Sequence, residues 1–281
     1  MLKQRVITAI ALLLVLLPAL FYPSPEPFCV IALVLITAGA WEWGNLNDCS
    51  GASSLAMGGV CFAICLAAWA LGWLDRSTPL LWLSVGAFWV LAGTWLLKGG
   101  VPIWSTLPKR FRLVGGLLVL SSAWLAVAQA RVIGINFLLS VLVLVWVADV
   151  FAYFAGRALG GRFTSKKLAP SISPRKSWEG VWGGMAGVMV LALAWRWQDG
   201  VQQANVPSFY SHLFGRGWWL FLISLAFMVA MSVVGDLVES LIKRSAGVKD
   251  SSGLLPGHGG VLDRVDALLP ALPLAMMIYS F

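Results

Sequence analysis

The strongest constraint on the fold is a repeated pattern: apolar runs about 20 residues long, separated by short polar segments, along the whole chain. A run of that length crosses the hydrocarbon core of a bilayer as an α-helix. A membrane-crossing strand is about half as long and alternates in polarity, and these runs do not alternate. Hydrophobic residues make up 59% of the 281 positions and charged residues only 11%. A soluble domain of this size has no use for so much apolar surface. The expected fold class is therefore all-α: a polytopic membrane protein of about nine transmembrane helices with a cytoplasm-facing polar cavity. The expected spans are roughly residues 5–23, 28–46, 54–74, 79–97, 113–131, 134–156, 178–197, 217–242 and 262–281.

Local features support this partition. Pro23, Pro25 and Pro27 interrupt the first two runs. The opening MLKQRVITAIALLLVLLPAL resembles a signal peptide, but no small-x-small cleavage site follows it, so it reads as a retained first helix. Of the 16 tryptophans, Trp41, Trp43, Trp104, Trp178, Trp218 and Trp219 sit near run ends, where interfacial anchoring and simple packing are both open readings. Cys29, Cys49, Cys61 and Cys65 lie in or beside apolar runs and read as small hydrophobes, not as ligands or disulfide partners.

The formal net charge of +8 reflects topology first, because Lys and Arg collect on the cytoplasmic side. Lys3 and Arg5 put the N-terminus inside. Alternation then puts Lys98, Lys109, Arg110 and Arg112 inside, followed by the basic clusters of 157–177 and 243–264, with the C-terminus outside. Those two longest polar segments are thus expected at the cytoplasmic face of a plasma (inner) membrane. The chain divides into 1–110, about four apolar spans, and 111–281, which carries the chemistry-bearing residues. Nothing in it calls for nucleic acid as a partner; membrane lipids are the expected surroundings.

Charge concentrates between Gly235 and Asp266, which hold Asp236, Glu239, Asp250, Asp263 and Asp266 out of 12 acidic residues in the chain, with Lys243, Arg244, Lys249, Arg264 and His258. Asp236, Glu239, Ser240 and Lys243 recur at i, i+3, i+4 and i+7, which makes one polar stripe on a helix. Asp263 and Asp266 are expected to open the last span on a shared face. Gly257, Gly259 and Gly260 between them permit close backbone approach to a ligand. Carboxylates converging beside lysines and a glycine-rich loop suit a hard divalent cation plus phosphate oxygens. An ion-pair network plugging the helix ends is the bland alternative, and it explains five acids around one glycine loop poorly. Two more clusters face the same side. Asp149, late in an apolar run and followed by Tyr153 and Arg157, is either functional or a structural ion-pair partner. Ser171, Ser173 and Ser177 around Arg175 and Lys176 make either a phosphate site or an ordinary helix cap.

At this point the residues resemble a family. Ser240–Asp266 is similar to the signature of phosphatidate cytidylyltransferases, also called CDP-diacylglycerol synthases: Ser-x-x-Lys-Arg, Lys-Asp, then His-Gly-Gly-x-x-Asp-Arg-x-Asp. Ser240, Lys243, Arg244, Lys249, Asp250, His258, Gly259, Gly260, Asp263, Arg264 and Asp266 meet every fixed position. Ile172–Gly180 and Asp149–Gly160 look like two further family segments, although Arg175 and Ser177 stand where Lys and Thr are common and Ala267 where Ser is frequent. The resemblance implies transfer of CMP from CTP to phosphatidic acid with Mg²⁺, a monovalent cation such as K⁺ being an option beside it, and it makes a homodimer plausible. On that basis Asp236, Asp263 and Asp266 are the expected metal ligands, with Asp250 and Glu239 as further donors. Lys243, Arg244, Lys249, Arg264 and the backbone at Gly259 and Gly260 would meet phosphates. Ser173, Arg175 and Lys176 would form a second phosphate site for CTP. His258 would either contact phosphate or shape the loop. Two alternatives stand beside this reading: a transferase acting on another lipid phosphate, and a cation-coupled transporter using Asp149, Asp236 and Glu239.

Overall fold

The computed structural model describes residues 2–281, without the side chains of Leu2, Lys3 and Arg5. The two basic residues from which the orientation is reckoned therefore lie outside the described side chains. The helices are α1 (Leu2–Phe21), α2 (Glu26–Leu46), α3 (Gly51–Ala70), α4 (Pro79–Gly99), α5 (Val101–Thr106) and α6 (Lys109–Ile133). They continue as α7 (Ile135–Leu159), α8 (Trp178–Gln202), α9 (Phe209–Arg216), α10 (Trp218–Ser245), α11 (Leu262–Val265) and α12 (Leu268–Ser280).

Among the described residues, 7 helices are long and apolar enough to cross a membrane: α2, α3, α4, α6, α7, α8 and α10. The protein is thus an all-α polytopic membrane protein, but the expected nine full-length spans become seven plus two shorter apolar helices, Val6–Phe21 and α12. The last expected span, 262–281, is not one helix. Pro270 lacks the N–H that would continue a hydrogen-bond ladder back to the Asp266 carbonyl. The chain breaks between α11 and α12, and Asp266 accepts a hydrogen bond from the Ala267 N–H (2.7 Å). Asp263 and Asp266 therefore do not open a single long helix as expected. Two short helices, α5 and α9, were not expected at all. α9 is held in place by Asp199, whose carboxylate accepts from Ser208 N (3.0 Å) and Ser211 Oγ (2.5 Å).

α10 lies at the centre, against α4, α5, α7, α8, α9 and α12. α7 and α8 pair most closely, through small residues. A Cβ on Gly180 would stand 2.9 Å from the Ala152 carbonyl oxygen, and one on Gly184 2.9 Å from that of Ala148, so the two backbones touch in the way small-residue membrane interfaces allow. Some polar side chains inside the bundle pair with one another or with the backbone: Trp82 Nε1 donates to Gln129 Oε1 (3.0 Å), and Gln129 Nε2 donates to the Trp73 carbonyl (2.7 Å). Away from water, each such group left unpaired would be costly. Cys29, Cys61 and Cys65 are buried and unbridged, as their apolar surroundings implied.

Candidate active site

The α10 stripe forms as its spacing predicts. Lys243 is buried, and its ammonium stands 2.6 Å from Glu239 Oε2 and 2.5 Å from Asp263 Oδ1. Ser240 Oγ donates to Asp236 Oδ1 (3.3 Å). Asp236 also pairs with Lys176, which ties the 157–177 segment to α10. The two polar segments, far apart in sequence, thus meet at one place, and each contributes a lysine.

The glycine loop is built around Asp263. Its Oδ2 accepts from Gly260 N (2.7 Å), Ser251 N (2.9 Å) and Ser251 Oγ (2.9 Å). Gly259 adopts φ +82°, a left-handed conformation that glycine enters without strain. At Gly260 the reason is space: a Cβ there would collide with Ser251 Oγ and lie 2.5 Å from Glu42 Oε1. Glu42, fully buried on α2, accepts from Val261 N (2.9 Å), Leu262 N (2.8 Å), Ser251 Oγ (3.1 Å) and Ser252 Oγ (2.6 Å). The amides at the start of α11 have no intrahelical acceptor, and a carboxylate from another helix supplies one. Sequence reasoning gave the first 110 residues no part in the site and missed Glu42. The available signal was a lone carboxylate inside an apolar run, the same signal that singled out Asp149.

A second buried carboxylate shapes the other segment. Glu179 accepts from Phe163 N (3.1 Å), Thr164 N (2.8 Å) and Thr164 Oγ1 (2.9 Å). Ser177 caps α8 by accepting from Gly180 N (3.2 Å), so the cap reading holds for that hydroxyl. A tight turn joins Ser173 N to the Ala169 carbonyl (2.8 Å) and Lys176 N to the Ser173 carbonyl (3.2 Å). It leaves Ser173 half-buried and Arg175 exposed. Lys249, Asp250, Arg244 and Arg264 are exposed as well. Asp250 runs close beside the glycine pair, with its Cβ 3.5 Å from where a Gly259 Cβ would stand. Arg244 donates to the Val248 carbonyl (3.2 Å), and His258 is half-buried with its Nδ1 enclosed and without a hydrogen bond.

The carboxylates differ electrically. Burial acts to raise the Asp263 carboxyl, but hydrogen bonds from Lys243 and from the Gly260 and Ser251 amides outweigh it and hold the group below its ordinary value. Asp266 goes the other way: burial first, then the Asp236 carboxylate and more weakly that of Asp149, raise it. Asp149 is therefore an electrostatic neighbour of this site, although it forms no ion pair there.

The donors gathered here are carboxylate oxygens, the ligand type that hard cations take. The ammonium groups paired with this cluster are those of Lys176, on Asp236, and of Lys243, on Glu239 and Asp263; no ion pair reaches Asp149 or Asp266 among the described residues. Glu239 is buried, and its close polar partner is the Lys243 ammonium at 2.6 Å. Among the described residues, no three His, Cys, Asp or Glu side chains already surround one point. A Mg²⁺-sized ion that takes one or two carboxylates and completes its shell with phosphate oxygens suits such a site.

The comparisons with known proteins reach the same segments. The cytidylyltransferase family matches residues 3–281. A phosphatidate cytidylyltransferase of Pseudomonas aeruginosa is 39% identical over 280 residues, covering 97% of this chain and 95% of its own. That of Haemophilus influenzae is 36% identical and covers 100% of this chain and 99% of its own. One from Thermotoga maritima is 41% identical over 143 residues, 50% of this chain. The family match takes in the acidic loop, the lysine segment paired with it and the α2 carboxylate that holds it, so the chain belongs to the cytidylyltransferase family.

Proposed function

We propose that this membrane protein transfers CMP from CTP to phosphatidic acid, giving CDP-diacylglycerol and pyrophosphate. The observation that carries this reading is the meeting of two lysine-bearing segments on one carboxylate cluster: Lys176 on Asp236, and Lys243 on Glu239 and Asp263. Full-length similarity to phosphatidate cytidylyltransferases supports the choice of substrates.

A phosphate oxygen of phosphatidate attacks the α-phosphorus of CTP in line. A new P–O bond forms as the bond to the β,γ-phosphates breaks, and pyrophosphate leaves with the electron pair. The nucleophile is already an anion, so no strong general base is required, and the protein's task is positioning and charge neutralisation. Lys243, Lys176, Arg175, Arg244, Lys249 and Arg264 supply positive charge around the triphosphate and the lipid phosphate, and Ser173 and the amides of Gly259 and Gly260 supply hydrogen bonds. Asp263, engaged by three loop donors, holds the loop in register, and His258 completes its turn. Asp236, Asp263 and Asp266 would hold Mg²⁺, with Glu239 and Asp250 as further donors and K⁺ as an optional second ion. When bound, the metal draws off charge from the phosphate oxygens as the reaction proceeds.

In this reading the N-terminus lies inside and the C-terminus outside an inner (plasma) membrane. The carboxylates then meet CTP from the cytoplasm while the acyl chains stay in the adjacent leaflet. Purified protein given CTP, Mg²⁺ and phosphatidate micelles should release pyrophosphate. Turnover confined to an isoprenoid or ether-lipid phosphate would replace the acceptor. No turnover, with ion movement in liposomes, would replace the enzyme by a transporter.

A further inference from the structure

Two cavities outside the carboxylate cluster open along the same side of the bundle. One, of about 340 Å³, is lined by α2, α4, α5, α6 and α10 and reaches Gly235 and Glu239 at its inner end. The other, of about 380 Å³, continues it between α3, α4 and α6. They share Phe88, Leu118 and Val119 in their walls, so they adjoin, end to end, along one groove beside α6. α4 and α6 both pack against α12, which leaves a gap between them on the outer side. Trp95, Phe111 and Leu118, all strongly exposed, stand at its mouth. From Arg112 to Leu125 the groove follows α6 for on the order of 20 Å. That exceeds the ~15 Å half-thickness of a bilayer's hydrocarbon core.

The lining is apolar with two charged exceptions, Glu239 and Arg112. Arg112 is unusual for a cation at a membrane surface. Its side chain is only 13% exposed, its Nε is buried without a hydrogen bond, and its one acidic neighbour, the exposed Asp48, is 3.9 Å away. The α6 backbone at this point is anchored, since the Arg112 carbonyl accepts from Trp43 Nε1 (3.0 Å). An enclosed guanidinium with an unused donor suits an oxyanion.

We propose that this groove seats the acceptor lipid: one acyl chain lies between α4 and α6, and Arg112 holds the phosphate that enters the carboxylate site. The proposal rests on the reaction assigned above and adds where the lipid binds and which residue receives its headgroup. Continuity of the apolar groove with Glu239 singles out a molecule that is apolar along its length and anionic at one end. A helix of a second copy, about 10 Å across, does not fit cavities of this size.

Gly115 lines the groove, and a Cβ there meets nothing within 4 Å, so a larger side chain fills space without a clash. The test compares wild type, Gly115→Leu, Arg112→Ala and Arg112→Lys using phosphatidate with long or short acyl chains. Gly115→Leu should raise the KM for the long-chain lipid about tenfold, and that for the short-chain lipid and for CTP by less than about twofold. Arg112→Ala should raise the KM for both lipids and not that for CTP, with partial recovery in Arg112→Lys. A readout independent of turnover is labelling by a phosphatidate that carries a photoreactive acyl chain, expected on α4 and α6 and suppressed in Gly115→Leu. Labelling elsewhere, or unchanged chain-length selectivity in a folded Gly115→Leu, overturns the groove. Labelling on α4 and α6 without CTP-dependent turnover keeps the groove and removes the reaction. If Gly115→Leu does not fold, the position of the wild-type label decides.

Discussion

The Leu262 amide donates a 2.8 Å hydrogen bond to the Glu42 carboxylate, across 220 residues of sequence. With the Val261 amide and the hydroxyls of Ser251 and Ser252, it makes Glu42 the acceptor around which the glycine loop is drawn. The carboxylate belongs to α2, in the part of the chain that otherwise supplies apolar spans.

Glu42→Gln should therefore act on the loop. The amide replaces one acceptor oxygen with a donor that faces the N–H and O–H donors already present. A loss on the order of 3 kcal/mol is expected, since charge-assisted bonds are lost and buried donors left unpaired. Thermal unfolding in detergent and turnover should both fall. Turnover near wild type would show that the loop keeps its shape without this acceptor.

Asp263→Asn should abolish most activity while the protein still inserts and folds, at some cost in stability. The Asn oxygen can still accept from the loop donors on Oδ2, and the Lys243 ammonium keeps Glu239 as its carboxylate partner. Turnover assays beside size-exclusion profiles separate the two effects, and an active variant would remove Asp263 from the machinery.

Arg175→Ala and Lys176→Ala should differ. Arg175 is exposed and makes no contact within the site, so its loss should mainly raise the KM for CTP. Lys176 also neutralises Asp236, so Lys176→Ala should lower kcat as well. Michaelis analysis with each substrate varied distinguishes them. An effect of Arg175→Ala confined to the lipid would reassign that segment.

Removal of divalent cation with a chelator should stop turnover, and Mg²⁺ should restore it. An ion bound by the folded cluster and not by the unfolded chain stabilises the fold, so Mg²⁺ should also raise the unfolding temperature. Full activity in chelator would refute the metal role of Asp236, Asp263 and Asp266.

His212, on α9, offers a pH test away from the site. Burial, then the nearby Arg216, lowers its pKa below the ordinary value, against a smaller raising effect from a hydrogen bond with the Tyr279 backbone. The fold thus favours neutral imidazole, which lies against the Tyr279 ring at a tilt of 39°, with 4.6 Å between ring centres. Its contribution is complete above the ordinary histidine range and fades as the pH falls through about 6.5, where the unfolded chain takes up its proton first. A melting temperature that declines from pH 7 to 5, with a shallower decline in His212→Phe, is expected. Equal slopes would assign the pH dependence to other groups.

The sequence by itself determined the long apolar helices and the polar stripe, because both are written in local periodicity. Apolar runs of membrane-spanning length make helices wherever they are placed, and Asp236, Glu239, Ser240 and Lys243 share a face by spacing alone. The motif residues at Gly259 and Gly260 were legible as positions needing glycine. Tertiary structure alone decided why: the first lies at φ +82°, and a Cβ on the second would collide with the Ser251 hydroxyl and the Glu42 carboxylate. It also decided that Lys176 meets Asp236, that the last apolar run breaks at Asp266, and that α4 and α6 part to leave a groove beside Glu239. Glu42 shows the physical reason. Its neighbours in sequence are apolar, its partners stand more than 200 residues away, and a carboxylate's function in a low-dielectric interior is set by which donors packing brings to it.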